Sequence, residues 1–149
     1  MIFVVVSTGH FDPLIEECNR LSGKYDFLGQ VGSSTVKPNF PHFLTAPHEK
    51  IEACMKEAEL VVSHGGAGMT AMINRLKKPS VIIPKQMRYG EMNDLQVELG
   101  QKWAELGMTI LCLDVRKLDE AIEQCRKAKL NFPEFPSLGK HLLGELGLS

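Results

Sequence analysis

The stretch "SHGGAG", residues 63–68, places a histidine and three glycines between an apolar run and a segment with helical character. Because Gly65, Gly66 and Gly68 lack side chains, a ligand can approach the backbone amides in the first turn of the next helix. Those amides and the helix dipole favour an anion, above all a phosphate or pyrophosphate. His64 would lie beside the same anion. The pattern is neither G-x-G-x-x-G nor G-x-x-x-x-G-K-[ST], and a turn needed only for strand–helix packing is the alternative.

A second candidate site is "RYGEMNDLQ", residues 88–96, a polar stretch that precedes another apolar helical pattern. Carboxylates and amides of this kind bind sugar hydroxyls, and here they are Glu91, Asn93, Asp94 and Gln96. Either Asn93 or Asp94 would instead cap the helix. Gln96 has no capping role that we can assign.

The third candidate is "STGHFD", residues 7–12, where the small residues Ser7, Thr8 and Gly9 can border the same cleft. His10 is the titratable group there that suits proton transfer near neutral pH. A histidine that caps a helix or lies in solvent is the alternative.

Charged residues add little to these candidates. Lys77, Lys78, Lys85 and Arg88 form a modest basic cluster that we interpret as solvated surface, although Lys85 and Arg88 flank the proposed anion site. No D-x-D pattern is present to hold a metal ion on a nucleotide diphosphate, so we predict no metal site and no cofactor.

These three stretches must be held by elements that alternate along the chain. Short continuous apolar runs, typical of strands buried on both faces, occur at residues 2–6, 60–63, 80–84 and 109–113, with a weaker one at 26–32. Helical spacing of apolar residues spans 51–58, 95–106 and 118–125, and Asp12 with Pro13 predicts a first helix capped by the Asp12 side chain. The alternation predicts βαβ units and a doubly wound parallel α/β sheet. Residues 32–48 and 131–136 are predicted to be irregular.

Length and composition indicate one domain over residues 1–149 with an ordinary globular composition, 44% hydrophobic and 23% charged. A net charge of −1 argues against nucleic acid as a partner. The apolar opening "MIFVVV" is too short to cross a bilayer, and the four scattered cysteines suit reduced core thiols. Both features favour the cytoplasm.

Four stretches in order, "MIFVVVSTGHFDPLIEE", "VVSHGGAG", "LKKPSVIIP" and "GEMNDLQVELGQKWAELG", resemble the C-terminal, donor-binding domain of glycosyltransferase family 28. The resemblance covers most of residues 1–113 and is strongest to small split members, which act in dolichol-linked oligosaccharide and bacterial capsular polysaccharide synthesis. It implies one half of a GT-B fold. Such a Rossmann-like domain binds a UDP-sugar and pairs with a separate, membrane-associated subunit that binds the lipid-linked acceptor.

Site roles follow from the resemblance by position. The turn formed by His64, Gly65, Gly66, Ala67 and Gly68 would receive the diphosphate. Gln96, with Glu91, Asn93 and Asp94, would hold the donor sugar. Pro47 and His48 would border the uracil, and Ser7, Thr8 and Gly9 would face the partner domain. The chain departs from relatives at Met72, where an acidic residue often grips the ribose, at Leu95 in a shortened loop, and at Ser7, where glycine is common.

The resulting hypothesis is the catalytic subunit of a two-component inverting glycosyltransferase. It would move a hexose or N-acetylhexosamine, with GlcNAc favoured, from a UDP-sugar to a lipid-linked acceptor, at the cytoplasmic membrane face through its partner. His10 is the only local candidate for the general base, and the partner is at least as good a candidate. The alternatives are a non-catalytic module that binds a nucleotide-sugar or phosphate ligand, and a homodimeric sugar-nucleotide hydrolase.

Overall fold

The computed structural model describes residues 1–7, 9–86, 95–130 and 132. Its centre is a six-stranded sheet with the strand order β3-β2-β1-β4-β5-β6, in which all neighbouring strands are parallel. The strands are β1 (Ile2–Val5), β2 (Phe27–Gln30), β3 (His42–Phe43), β4 (Leu60–Ser63), β5 (Ser80–Ile82) and β6 (Ile110–Leu111). The helices are α1 (Asp12–Leu21), α2 (His48–Glu57), α3 (Ala67–Arg75), α4 (Leu95–Glu105) and α5 (Leu118–Lys127).

The continuous apolar strands bury both of their faces, as predicted for a doubly wound sheet. Successive side chains of a strand point to opposite faces. Ile2 and Val4 of β1 therefore join a core with α1 and α5, and Phe3 and Val5 join a second core with α2 and α3. Helices thus cover both faces of the parallel sheet, and the predicted α/β class is confirmed.

The start of α1 agrees with the prediction, but the predicted capping by Asp12 is wrong. The helix begins at Asp12 with Pro13 in its first turn, and no side chain caps it. The Asp12 carboxylate instead accepts hydrogen bonds from Ser34 Oγ, at 2.9 Å, and from the amide and hydroxyl of Thr35. The carboxylate therefore fastens the β2–β3 connection to α1.

The segment 32–48 is not wholly irregular, because it contains the short strand β3. His42 and Phe43 pair with Gly29 and Gln30 of β2. The segment's prolines hid this strand, since proline usually argues against sheet. The second predicted irregular segment, 131–136, lies outside the described residues apart from residue 132.

Candidate functional site

Two of the three candidate stretches meet at one point of the sheet. The chain proceeds outward from β1 to β2 and β3, then returns to place β4 beside β1 before proceeding to β5 and β6. In open α/β sheets, ligands bind beyond the carboxyl ends of strands where this order reverses. The loop with Ser7 and Gly9 follows β1, and the glycine turn with His64 follows β4. The topology therefore brings them together at the switch point.

The glycine turn leaves the start of α3 open. Gly66 is the N-cap, no side chain caps the helix, and its first turn contains no acidic residue. Gly65 adopts a left-handed φ of 91°, and a Cβ there would lie 3.0 Å from Ile82 Cγ2. A Cβ at Gly68 would meet no atom within 4 Å. The first amides of α3 therefore have no capping side chain, and the space where a side chain at position 68 would lie is open.

His64 is 7% exposed and packs against the turn that follows it. A Cβ on Gly66 would lie 2.7 Å from His64 Cε1, so glycine is needed there for the imidazole to fit. In distance and angle, neither ring nitrogen forms a hydrogen bond within the described residues, and the neighbouring Gln96 side chain has only a small effect on the ring. Burial and the positive charge of Lys85 lower the pKa of His64 to about 4, against a smaller opposing effect of Gln96. The imidazole is therefore neutral at physiological pH.

Gln96, in the first turn of α4, comes close enough to His64 to affect that pKa. Its Oε1 is shielded from solvent and lacks a hydrogen-bond partner in the part of the chain that is described. The structure thus joins the second candidate stretch to the glycine turn through this one residue. Glu91, Asn93 and Asp94 lie outside the described residues, as does Thr8 of the first loop.

The loop after β1 is held by Gln30, a residue that the sequence did not single out. Its Oε1 accepts hydrogen bonds from the amides of Val6, at 3.2 Å, and Ser7, at 2.7 Å. Its Nε2 donates to the carbonyls of Ser7, at 2.6 Å, and Leu44, at 2.7 Å. Ser7 has a left-handed φ of 62°, which explains why glycine suits this position. A polar residue at the end of an apolar strand was the available signal.

A cavity of about 240 Å³ opens beside this loop, between the β1–β3 edge and α2 and α3; its lining residues are Ser7, Gln30, Thr45, Ala46, His48, Ile51, Met69 and Met72. A second, of about 200 Å³, is lined by His48, Gly68, Ala71, Met72 and Arg75. The two cavities share His48 and Met72 and extend to the start of α3.

Two other predicted site residues lie at the surface. Pro47 is the N-cap of α2 and is exposed. His10 is exposed in the loop after β1.

Sequence comparison identifies the family of this fold and site. The model of the glycosyltransferase family 28 C-terminal domain matches residues 1–137. The chain belongs to this family. The predicted resemblance is thereby confirmed, and membership supports a nucleotide-sugar-binding role of the glycosyltransferase type. No curated protein sequence matches the chain.

Solved structures share the fold of this family 28 domain. The UDP-GlcNAc 2-epimerase of Methanocaldococcus jannaschii, in complex with UDP-GlcNAc and UDP, is 16% identical with a TM-score of 0.66, covering 99% of this chain and 45% of its own. The glycotransferase of kitacinnamycin is 20% identical with a TM-score of 0.62, covering 98% and 38%. The calicheamicin glycosyltransferase CalG4 is 12% identical with a TM-score of 0.62, covering 97% and 37%.

The family 28 domain therefore spans less than half the length of these structural relatives. Its Rossmann-like sheet is of the kind that forms one half of a GT-B fold. Within the described ranges, no helix combines the length and apolar character needed to cross a membrane.

Proposed function

We propose that this chain is the donor-binding, catalytic subunit of a two-component inverting glycosyltransferase. It binds a UDP-sugar, with a hexose or N-acetylhexosamine such as GlcNAc as the sugar, and transfers it to a lipid-linked acceptor. The observation that carries the proposal is the uncapped start of α3 at the switch point of the sheet, beside the buried and unpartnered nitrogens of His64. A diphosphate supplies acceptors for the free amides and for the imidazole.

The two cavities offer space for the nucleoside next to this anion site. The first has an apolar floor of Ile51, Met69 and Met72, which suits the face of a uracil ring, and His48 lies at its rim. Met72 occupies the position at which relatives often have a carboxylate for the ribose. We therefore place the ribose near Met72, without a carboxylate ligand from this residue.

The sugar would extend from the diphosphate toward α4. Gln96 Oε1 lacks a hydrogen-bond partner in the described part of the chain, and a sugar hydroxyl is a donor that satisfies it. Glu91, Asn93 and Asp94 complete the proposed sugar site. Ser7, Thr8 and Gly9 would line the side of the cleft that faces the acceptor-binding partner.

The proposed mechanism is electrostatic stabilisation of the leaving group. The acceptor hydroxyl oxygen bonds to the anomeric carbon as the bond from that carbon to the β-phosphate oxygen breaks, and the electron pair stays on the departing UDP. Amides around Gly66 and Gly68 stabilise the charge that grows there. The hydroxyl proton passes to a base, for which we propose His10 or a group of the partner.

We propose that the acceptor site lies on a partner, as in the split members that the sequence resembles; the coverage of less than half of the structural relatives is compatible with this arrangement. We propose that this partner is membrane-associated and holds the chain at the cytoplasmic face. UDP release should require co-expression with the partner. UDP release by the chain alone, without glycosyl transfer, would instead favour the hydrolase.

Donor binding is tested by titrating UDP and UDP-GlcNAc into the wild-type chain and the Gly68→Val variant by calorimetry. Valine at Gly68 projects into open space, so it should block the anion without disturbing packing, and we expect at least a ~10-fold loss of affinity. Gly23→Val is the matched control, because a Cβ there also meets nothing within 4 Å. Equal affinity of Gly68→Val and wild type would refute this anion site. Absence of binding to wild type at millimolar ligand would refute the donor-binding proposal.

A further inference from the structure

Lys85 reaches across the switch point from the far side of β4. It follows β5, yet a Cβ on Gly9, in the loop after β1, would lie only 2.9 Å from Lys85 Nζ. The sheet order places β4 between β5 and β1. The Lys85 side chain therefore passes over the carboxyl end of β4, where the glycine turn begins.

The Lys85 ammonium has no acidic partner among the described residues. Two other lysines of the described ranges are engaged in this way: Lys24 Nζ lies 2.8 Å from Asp119 Oδ1, and Lys78 Nζ donates to the carbonyls of Lys56 and Ala58 at 2.7 and 2.9 Å. Lys85 is half-buried and makes no ion pair or hydrogen bond of this kind in the described ranges. A half-buried lysine that has no acidic partner in the described ranges is available to an anionic ligand.

His64 provides an independent observation at the same place. It is more than nine-tenths buried, its ring lies against the N-cap Gly66 of α3, and neither of its nitrogens has a partner in the described residues. Burial is the main cause of the lowered pKa of His64, and the positive charge of Lys85 adds to it, which indicates that the ammonium lies near the ring. An ammonium, a neutral imidazole and free helix amides thus converge on one space between β1 and β4.

We propose that Lys85 is the residue that neutralises the diphosphate of the bound nucleotide, as a point charge facing the amides of α3. This inference rests on the proposed donor-binding function and adds to it a specific cation. Lysine binds phosphate in this manner without the fixed geometry of arginine. The sequence interpretation gave Lys85 both as solvated surface and as a neighbour of the anion site, and the approach of its ammonium to Gly9 and its effect on His64 favour the second of these.

The test compares UDP with uridine, which has the same base and ribose but no phosphate. UDP affinity is measured by calorimetry, and uridine affinity by amide NMR shifts, for wild type, Lys85→Met and Lys85→Arg. Methionine retains an unbranched stem over Gly9 without the charge, and arginine retains the charge. Lys102→Met is the matched control, since Lys102 is exposed on α4 and loses the same charge.

We expect Lys85→Met to weaken UDP at least ~10-fold while changing uridine less than ~3-fold, with Lys85→Arg and Lys102→Met close to wild type. An unchanged UDP affinity in Lys85→Met, or an equal loss for UDP and uridine, would overturn the role of Lys85 alone. A wild-type chain that binds neither UDP nor UDP-GlcNAc would overturn the proposed function itself. If Lys85→Met does not fold, Lys85→Gln is used, with the same expected selectivity for UDP over uridine.

Discussion

The two sides of the switch point differ in whether their buried polar side chains are hydrogen-bonded. On the β1–β3 side, both ends of the Gln30 amide are hydrogen-bonded to backbone groups of three residues, Val6, Ser7 and Leu44. On the β4–β5 side, His64 and Gln96 hold buried polar atoms without partners in the described residues. Among the described residues, the Gln30 amide is thus fully hydrogen-bonded, whereas the polar atoms of His64 and Gln96 are not.

We interpret this difference as one between groups that hold the fold and groups that we propose bind the ligand. An unmade buried hydrogen bond costs about 1–3 kcal/mol, so a fold retains one chiefly where a ligand or water supplies the missing partner. The Gln30 amide holds the loop after β1, which borders the first cavity, and all of its hydrogen-bonding capacity is used in these bonds. His64 and Gln96 lie where we place the diphosphate and sugar, and both keep bonding capacity for them.

The largest effect on stability is expected from replacing Gln30 on the β1–β3 side. Gln30→Met keeps a similar volume but leaves the Ser7 amide and carbonyl without their partner, while the Leu44 carbonyl keeps only its bond from the Gly32 amide. We expect the free energy of unfolding to fall by about 3 kcal/mol, measured by urea denaturation. UDP binding should weaken as well, because Ser7 lines the cavity.

Gln101→Met is the control for this prediction, since Gln101 is exposed on α4 and should change stability by less than about 0.5 kcal/mol. Equal stability of the two variants would show that Gln30 does not hold the loop.

On the β4–β5 side, we expect His64 to make the stability of the fold depend on pH. Its pKa is about 4 in the folded chain against 6.5 for the free group, so the unfolded chain binds more protons between these values. This contribution to stability is therefore fully present above about pH 6.5 and is lost as the pH falls toward 4. At about pH 4.5 the loss should be about 2 kcal/mol.

The measurement is urea denaturation of wild type and His64→Gln at about pH 7 and about pH 4.5. Glutamine does not titrate, so the variant should lack this part of the acid destabilisation while keeping the part due to carboxylates. Parallel decline of both proteins would contradict the assignment of a neutral His64.

The sequence predicted most of the sheet because its strands are continuous apolar runs buried on two faces. Residues 2–6 and 60–63 could be recognised as strands in this way without any partner being known. β3 could not, because His42 and Phe43 are held by pairing with β2 rather than by their own character. Strand pairing of this kind depends on residues distant in sequence.

The same distinction between local sequence signals and long-range contacts applies to the candidate site. The uncapped start of α3, where we propose the anion binds, was predictable from Gly65, Gly66 and Gly68, since residues without side chains leave the backbone there accessible. The role of Gln30 depends on hydrogen bonds to residues 14 and 23 positions away in the sequence. The proposed role of Lys85 depends on the approach of its ammonium to Gly9. Asp12 was misassigned for the same reason, since Ser34 and Thr35 compete with the helix amides for its carboxylate.

The smallest expected effect concerns the strain that the β1–β3 side retains at Ser7. A non-glycine residue in the left-handed region costs about 1–2 kcal/mol, and glycine removes that strain while adding about 0.5–1 kcal/mol of unfolded-state entropy. Ser7→Gly should therefore raise the free energy of unfolding by about 0.5 kcal/mol. Ser33→Gly is the control: Ser33 is exposed without a left-handed φ, so the same replacement should lower stability by a similar amount. The measurement is urea denaturation of both variants. A stabilised Ser33→Gly together with a destabilised Ser7→Gly would contradict the prediction and would mean that the backbone at Ser7 is not strained.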